Sequence, residues 1–305
     1  MQIPFRIFSP NTNLRPKLAC EITPEGVVAA RQQKEEQAVM SFASLPAGVV
    51  TPGLAETNFT DQAMVVAALR KALDAVSARE KQLTLVVPDA AVRVLMLEFD
   101  MLPAKVQEAM PIVRFRLRKL MPFEVDDAAV SYQVMSQKRD QTHALVTVMP
   151  GTVRAEFEGA VRAAGYEPGV VLPSTLAALA ALMTSDAALV VNRNGLSLTT
   201  AITSGDELLL HRTLELPVNE ERHHEELAQS VSVTRAYFED TLHATPEVLH
   251  YVGSGGAEEF LRVLAEAAEE DGFRVRDLVT TPAMVASGTM PKGLAAGVLG
   301  ALASR

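Results

Sequence analysis

Residues 17–42 read KLACEITPEGVVAARQQKEEQAVMSF, and residues 187–214 read AALVVNRNGLSLTTAITSGDELLLHRTL. The first stretch predicts strands Lys17–Ile22, Gly26–Arg31 and Ala38–Phe42, separated by the turn Thr23–Pro24–Glu25 and the charged stretch Gln32–Gln37. The second predicts strands Ala187–Val191, Leu196–Thr203 and Glu207–Leu214, with turns at Asn192–Gly195 and Ser204–Asp206. One three-strand meander therefore occurs twice. Duplication at so long a range signals two related lobes facing a shared cleft, not a solenoid of short repeats.

Outward from the first meander, Ser44–Ala55 is a Pro- and Gly-bearing loop, and Thr60–Asp61 caps a helix running to about Arg79. Met64, Leu69, Leu73 and Val76 supply its buried stripe. Strands follow at Gln82–Val87 and Arg93–Phe99, then a helix at Ala104–Met121 that stops at Pro122. Ala128–Met135 and His143–Met149 form a hairpin around the polar Ser136–Thr142. Helix Thr152–Ala164, strand Pro168–Leu172 and helix Ser174–Met183 close the first half. After the second meander come a helix at Asn219–Thr241, strand Val248–Val252, a helix from Ala257 to Asp271 and an Ala/Gly-rich helix at Lys292–Ala303. Helix and strand alternate in both halves, so the fold class is α/β.

The chain has 305 residues, enough for two lobes, with 48% hydrophobic and 21% charged residues, a globular balance. Its net charge of −9 disfavours a nucleic-acid partner, whose phosphates need clustered Lys and Arg. The single cysteine, Cys20, excludes an internal disulfide or a Cys-based zinc cluster and reads as a small buried hydrophobe. Met1–Pro10 lacks the apolar core of a secretory signal, and the longest apolar runs, Leu176–Met183 and Leu294–Ala303, fall short of the roughly 20 residues that cross a bilayer. A cytoplasmic location is the resulting expectation.

Few residue patterns point to chemistry. The turn Gly253–Ser254–Gly255–Gly256 follows a strand and opens a helix, where backbone amides and the helix dipole attract phosphate. It is neither a dinucleotide fingerprint nor a phosphate loop ending in Lys–Ser/Thr, and a simple tight turn is the plainer reading. His223–His224 with Glu225–Glu226 lacks metal-ligand spacing, because adjacent histidines leave a helix on different sides, so a solvated polar face is expected. No triad or paired-acid spacing is visible, and neither a catalytic residue nor a metal site is assigned.

Duplicated meanders with a glycine turn are the layout of the actin, Hsp70 and sugar-kinase superfamily. Within it the chain resembles the type IV pilus assembly PilM family, and is also similar to cytoplasmic GspL and to FtsA. The likeness is carried by Leu18–Arg31, Leu45–Pro46 with Gly48, Leu97–Pro103, Leu120–Phe123, Ser131–Val134, Leu189–Thr200, Leu227–Phe238, Val252–Gly256 and Gly293–Leu302. It implies an actin-like, ribonuclease-H-like fold, with a first lobe at about 1–185 carrying an inserted subdomain at about 92–168, and a second lobe at 186–305.

The resemblance also says how to read the two cleft turns. In such families each phosphate loop carries Asp-x-Gly, the acid serving magnesium or water and the glycine admitting phosphate to backbone amides. Here the equivalent triplets are Glu21–Ile22–Thr23 and Asn192–Arg193–Asn194. Side chains at Thr23 and Asn194 obstruct close approach, and the neutral Asn192 lacks the charge magnesium needs. The implied nucleotide-site residues are therefore Glu21, Thr23, Asn192, Asn194 and Gly253–Gly256, in a degenerate site, with either no cofactor or ATP with magnesium in the cleft. By resemblance the protein is a scaffold peripheral to the inner membrane that binds the cytoplasmic amino-terminal tail of a bitopic, PilN-like partner beside the helix bearing Arg114, Arg118 and Lys119. Self-association is left open. The competing expectation is an active ATPase or phosphotransferase in the same cleft, which ought to keep Asp and Gly at the altered positions.

Overall fold

The computed structural model describes residues 15–34, 37–55, 57–138, 140–267, 274–279 and 285–304. The expectations for Met1–Pro10 and for the helix end beyond 267 lie outside the described residues.

The first meander is β1 (Leu18–Thr23), β2 (Gly26–Lys34) and β3 (Gln37–Ser44), antiparallel with Glu21 opposite Val28 and Val28 opposite Phe42. Helix α1 (Gln62–Val76) begins at Asp61, whose carboxylate accepts the amide of Met64 at 3.0 Å, an N-cap that satisfies one of the free first-turn donors. It buries Val65, Leu69, Ala72, Leu73 and Val76, one stripe of a 3.6-residue period. Met64, expected in that stripe, is 46% exposed, because the buried face begins one residue later at Val65. β4 (Gln82–Val87) then pairs in parallel with β1.

An insertion follows the single turn Asp89–Ala91: β5 (Arg93–Phe99), α2 (Val106–Arg118), β6 (Ala129–Lys138) and β7 (Gln141–Met149). Its strands form a separate sheet ordered β5-β7-β6, on which α2 buries Ala109, Val113 and Leu117. Helix α3 (Gly151–Ala163) returns to the first lobe, where Phe157 meets Phe59 edge-to-face with centroids 4.7 Å apart. β8 (Glu167–Pro173) adds in parallel to β4, and α4 (Ser174–Leu179) leads towards the second lobe. The insertion is thus 93–149; the expected span of 92–168 included α3, whose Val153, Phe157, Ala160 and Val161 belong to the first lobe's core.

The second lobe repeats the plan. β9 (Ala188–Asn194), β10 (Ser197–Ser204) and β11 (Glu207–Glu215) form the meander; α5 (Glu220–Leu242) crosses over; β12 (Leu249–Gly253), α6 (Gly256–Ala267) and β13 (Val275–Asp277) follow. The strand order β11-β10-β9-β12-β13 matches β3-β2-β1-β4-β8, with the fourth and fifth strands parallel in both. The chain then goes back. β14 (Val285–Ser287) pairs with β3, and α7 (Ala296–Ala303) packs Ala296, Val298 and Ala301 against α4 and the first sheet. The second lobe therefore ends before 285 instead of at 305, because residues 285–303 complete the first lobe. Gly300 lies against the Ala177 carbonyl and leaves no space for a Cβ. Between the lobes, Leu176 and Leu179 meet Val190, Ala201, Val252 and Ala296 in one apolar seam.

Candidate functional site

Both meanders end their central hairpins at the cleft, and the floor between them is a buried polar cluster. Glu21 on β1 is 3% exposed and accepts the Ser174 hydroxyl at 2.5 Å. Asn192 on β9 donates from Nδ2 to Ser174 Oγ and Thr175 Oγ1, each at 3.0 Å, and to Asp89 at 3.4 Å. Asp89 accepts the Thr175 amide at 3.1 Å and the Thr175 hydroxyl. Gly297 of α7 presses on the Glu21 carboxylate so closely that a Cβ would collide with Oε2. Burial pushes the Glu21 carboxyl up to about 7, the charges of Asp89 and Glu25 add to that, and the Ser174 hydrogen bond opposes it. The carboxylate and amide that stand where phosphate-loop acids are expected thus face a seryl hydroxyl, a threonyl hydroxyl and a helix.

The turns are likewise occupied from within. Thr23 Oγ1 donates to the Gly26 carbonyl at 3.1 Å and accepts the Gly26 amide at 3.2 Å, closing its own hairpin. The two hairpin tips touch: a Cβ on Gly195, which has φ +60°, would lie 2.9 Å from Pro24 Cγ. Asn194 is buried, with Oδ1 lacking a hydrogen-bond partner. At Gly253–Gly256 the α6 amino terminus already holds an anion, since Asp277 Oδ1 accepts the Ala257 amide at 2.8 Å. Gly293 packs on the Gly253 carbonyl, and Gly253 and Gly256 have φ of +139° and +71°. The structure gathers Glu21 and Asn192 into one cluster, joined through Ser174. Thr23 closes the neighbouring turn, and the glycine turn leaves the end of β12, where Val252 stands opposite Asn192 and Gly253 opposite Arg193.

Sequence reasoning missed Asp89, Ser174 and Thr175. Each follows the carboxyl end of a parallel strand, Asp89 after β4 and Ser174–Thr175 after β8, the position where open α/β sheets place functional groups. That positional signal was available in Val87–Pro88–Asp89 and Pro173–Ser174–Thr175.

Elsewhere, His223 is 7% exposed instead of solvated, because its Nδ1 turns onto the Pro217 carbonyl at 3.2 Å, and its ring stands edge-on to His224. Among the described residues no group of three or more His, Cys, Asp or Glu side chains is arranged to hold a metal ion. Nor is any helix there long and apolar enough to cross a membrane. Cys20 is fully buried, which pushes its thiol pKa far up.

Two strands that end their sheets among the described residues border one groove. β6 ends the inserted sheet and β8 ends the first-lobe sheet, and a groove between them is lined by Ser131, Tyr132, Gln133, Val171, Leu172 and Pro173. On the other side of the insertion, Ile112 and Phe115 of α2 are exposed beside a second depression of about 780 Å³. Arg114 does not reach either, since its guanidinium is spent on the carbonyls of Val125 and Ala128 at 2.5 and 3.1 Å.

Two sheets of one strand order, opening on facing turns over a shared cleft and carrying a small inserted sheet, define an actin-like ATPase fold. No protein-family model matches the sequence, and no curated protein matches it. Among solved structures, a chain of the PilM–PilN type IV pilus biogenesis complex is 15% identical, with 94% of this chain and 97% of that chain covered and a TM-score of 0.71. The cytoplasmic domain of EpsL, an inner-membrane component of the Vibrio cholerae type II secretion system, is 13% identical over 87% of this chain and 98% of its own, with a TM-score of 0.46. A Bacteroides thetaiotaomicron protein with an actin-like ATPase fold is 10% identical over 81% and 86%, with a TM-score of 0.45. The first of these likenesses carries the argument: the fold is PilM-like along nearly the whole chain.

Proposed function

We propose that the protein is a PilM-like cytoplasmic scaffold of a type IV pilus or type II secretion-like assembly, peripheral to the inner membrane, that binds the amino-terminal tail of a bitopic, PilN-like membrane protein. The observation that carries this reading is the groove between β6 and β8, two strands that end their sheets among the described residues, in a chain whose fold matches a component of the PilM–PilN complex. An extended tail adds to such an edge through main-chain hydrogen bonds and places alternate side chains in the groove. The cleft is read as a degenerate nucleotide site. Support comes from Thr23, Asn192 and the Ala257 amide, whose hydrogen-bonding groups are already engaged within the chain by Gly26, Ser174 and Asp277. The absence of any acid at Asn192 removes a magnesium ligand.

The test is calorimetric titration with a peptide copying the cytoplasmic tail of a single-span membrane protein encoded beside this chain, and separately with ATP and magnesium. The peptide is expected to bind. Replacing the exposed groove residue Ser131→Arg is expected to weaken it at least tenfold with no loss of folded structure by circular dichroism. Tight ATP binding with turnover would overturn the scaffold reading in favour of an enzyme, and tail binding unaffected by Ser131→Arg would remove the tail from the groove.

A further inference from the structure

The depression of about 780 Å³ on the inserted subdomain has walls of opposite charge. Its cations, Arg116 and Lys119, both belong to α2, and its acids all belong to the other wall, Glu98 and Asp100 at the end of β5 and Asp140 in the β6–β7 turn. Between the two lie apolar side chains left in the open: Met101 is 74%, Phe115 60% and Ile112 40% exposed. The Lys119 ammonium stands 5.0 Å from the centre of the Phe115 ring. Arg116, Lys119 and Asp100 form no ion pair with any described residue, while Glu98 accepts Gln141 Nε2 at 3.0 Å and lies 3.7 Å from His143 Nδ1.

Single exposed apolar residues are ordinary on a protein surface, but three large ones lining one hollow mark a surface that is covered in use. The charge layout says by what. A uniformly acidic or uniformly basic partner would match one wall and be repelled by the other. A two-fold axis, by contrast, sets each wall of a patch against the opposite wall of its copy, so a surface that pairs with itself has to be self-complementary. This one is, in a chain whose net charge of −9 otherwise makes copies repel.

We propose that a second copy of this chain docks on this depression about a two-fold axis, Phe115 and Met101 of each copy filling the hollow of the other and Lys119 of each facing Asp100 of the other. The apolar centre carries the affinity, and the charges fix the register, since exposed pairs contribute little by themselves. None of the β6–β8 groove residues lines the depression, so pairing and tail binding are separate properties and are tested apart.

The whole chain is followed by sedimentation equilibrium over a range of concentrations, beside Phe115→Arg, Lys119→Glu, Asp100→Lys and the double variant of the last two. The wild type is expected to pass from monomer to dimer and no further. Phe115→Arg is expected to raise the dimer dissociation constant at least tenfold with unchanged circular dichroism. Each single charge reversal is expected to raise it by about three- to tenfold, and the double reversal to return it to within about twofold of the wild type, because the pair is restored with its signs exchanged. Should Phe115→Arg fail to fold, the charge-reversal cycle decides by itself. A wild type that stays monomeric into the hundred-micromolar range, a dimer indifferent to Phe115→Arg, single reversals whose losses add in the double variant, or growth into assemblies larger than two overturns the proposal. Binding of a monomeric chain to phosphatidylglycerol vesicles, abolished by Phe115→Arg, overturns it in favour of a bilayer.

Discussion

Burying a carboxylate beneath a helix costs free energy unless hydrogen bonds or a proton compensate, and Glu21 uses one of each. Its carboxyl titrates near 7 in the fold against an ordinary value of 4.5, so between those pH values the folded state holds a proton that the unfolded chain has released. Stability therefore falls as pH rises through that window, by on the order of 3 kcal/mol from this residue. Burial holds His211, His223 and His250 below their ordinary value, which acts in the opposite sense as pH falls. The clean observable is thus the difference between the wild type and Glu21→Gln, which keeps an acceptor for Ser174 and cannot ionise. Measured by urea denaturation, Glu21→Gln is expected to gain stability relative to the wild type between pH 5 and pH 8. A constant difference across that range would mean that the carboxyl is not held as the geometry indicates.

At the scale of elements, α2 shows where charge patterning in a sequence misleads. Its Arg114, Arg118 and Lys119 read as a basic face beside a partner groove, yet two of the three serve the insertion itself. Arg114 closes the loop after α2 by donating to the carbonyls of Val125 and Ala128, whereas Arg118 makes an exposed pair with Asp126 at 2.6 Å. Hydrogen bonds from a charged group to buried carbonyls contribute more than a solvated pair. Arg114→Ala is expected to cost about 1–3 kcal/mol in a chemical-denaturation series, and Arg118→Ala to leave the midpoint nearly unchanged. The larger elements were legible because their signals are local. Alternating apolar residues fixed both meanders, Asp61 caps α1 as its position suggested, the long helix begins at the expected Asn219, and prolines and glycines ended the rest. β13 and β14 were not legible: three residues each, they become strands only because an existing sheet edge offers them backbone partners.

Across the whole molecule the same distinction decides which parts of the site could be read ahead. Glu21, Thr23, Asn192 and Asn194 were reached through the family resemblance, which reads one turn of each meander as a phosphate loop. The groups that Glu21 and Asn192 meet, Ser174, Asp89 and Gly297, come from three other segments, and only the folded chain brings them together. Nor does the sequence of α7 announce its destination. It is small and apolar all round, with no polar face to mark an outside, as befits a helix buried between α4 and the first sheet. With that helix, the apolar seam of Leu176, Leu179, Val190 and Ala296 and the polar cluster all crossing the cleft, the lobes share too much buried surface to melt apart. Heating is expected to give one transition, coincident by far-ultraviolet circular dichroism and tyrosine fluorescence; two resolved steps would show the lobes to be independent.

The carboxylate at the head of α6 has its own corollary. Asp277 is the last residue of β13, the outermost strand of the second sheet, and is held there by backbone pairing to β12. Any incoming anion that seeks the Ala257 amide must first displace the Asp277 carboxylate, so the rim strand itself guards the head of α6.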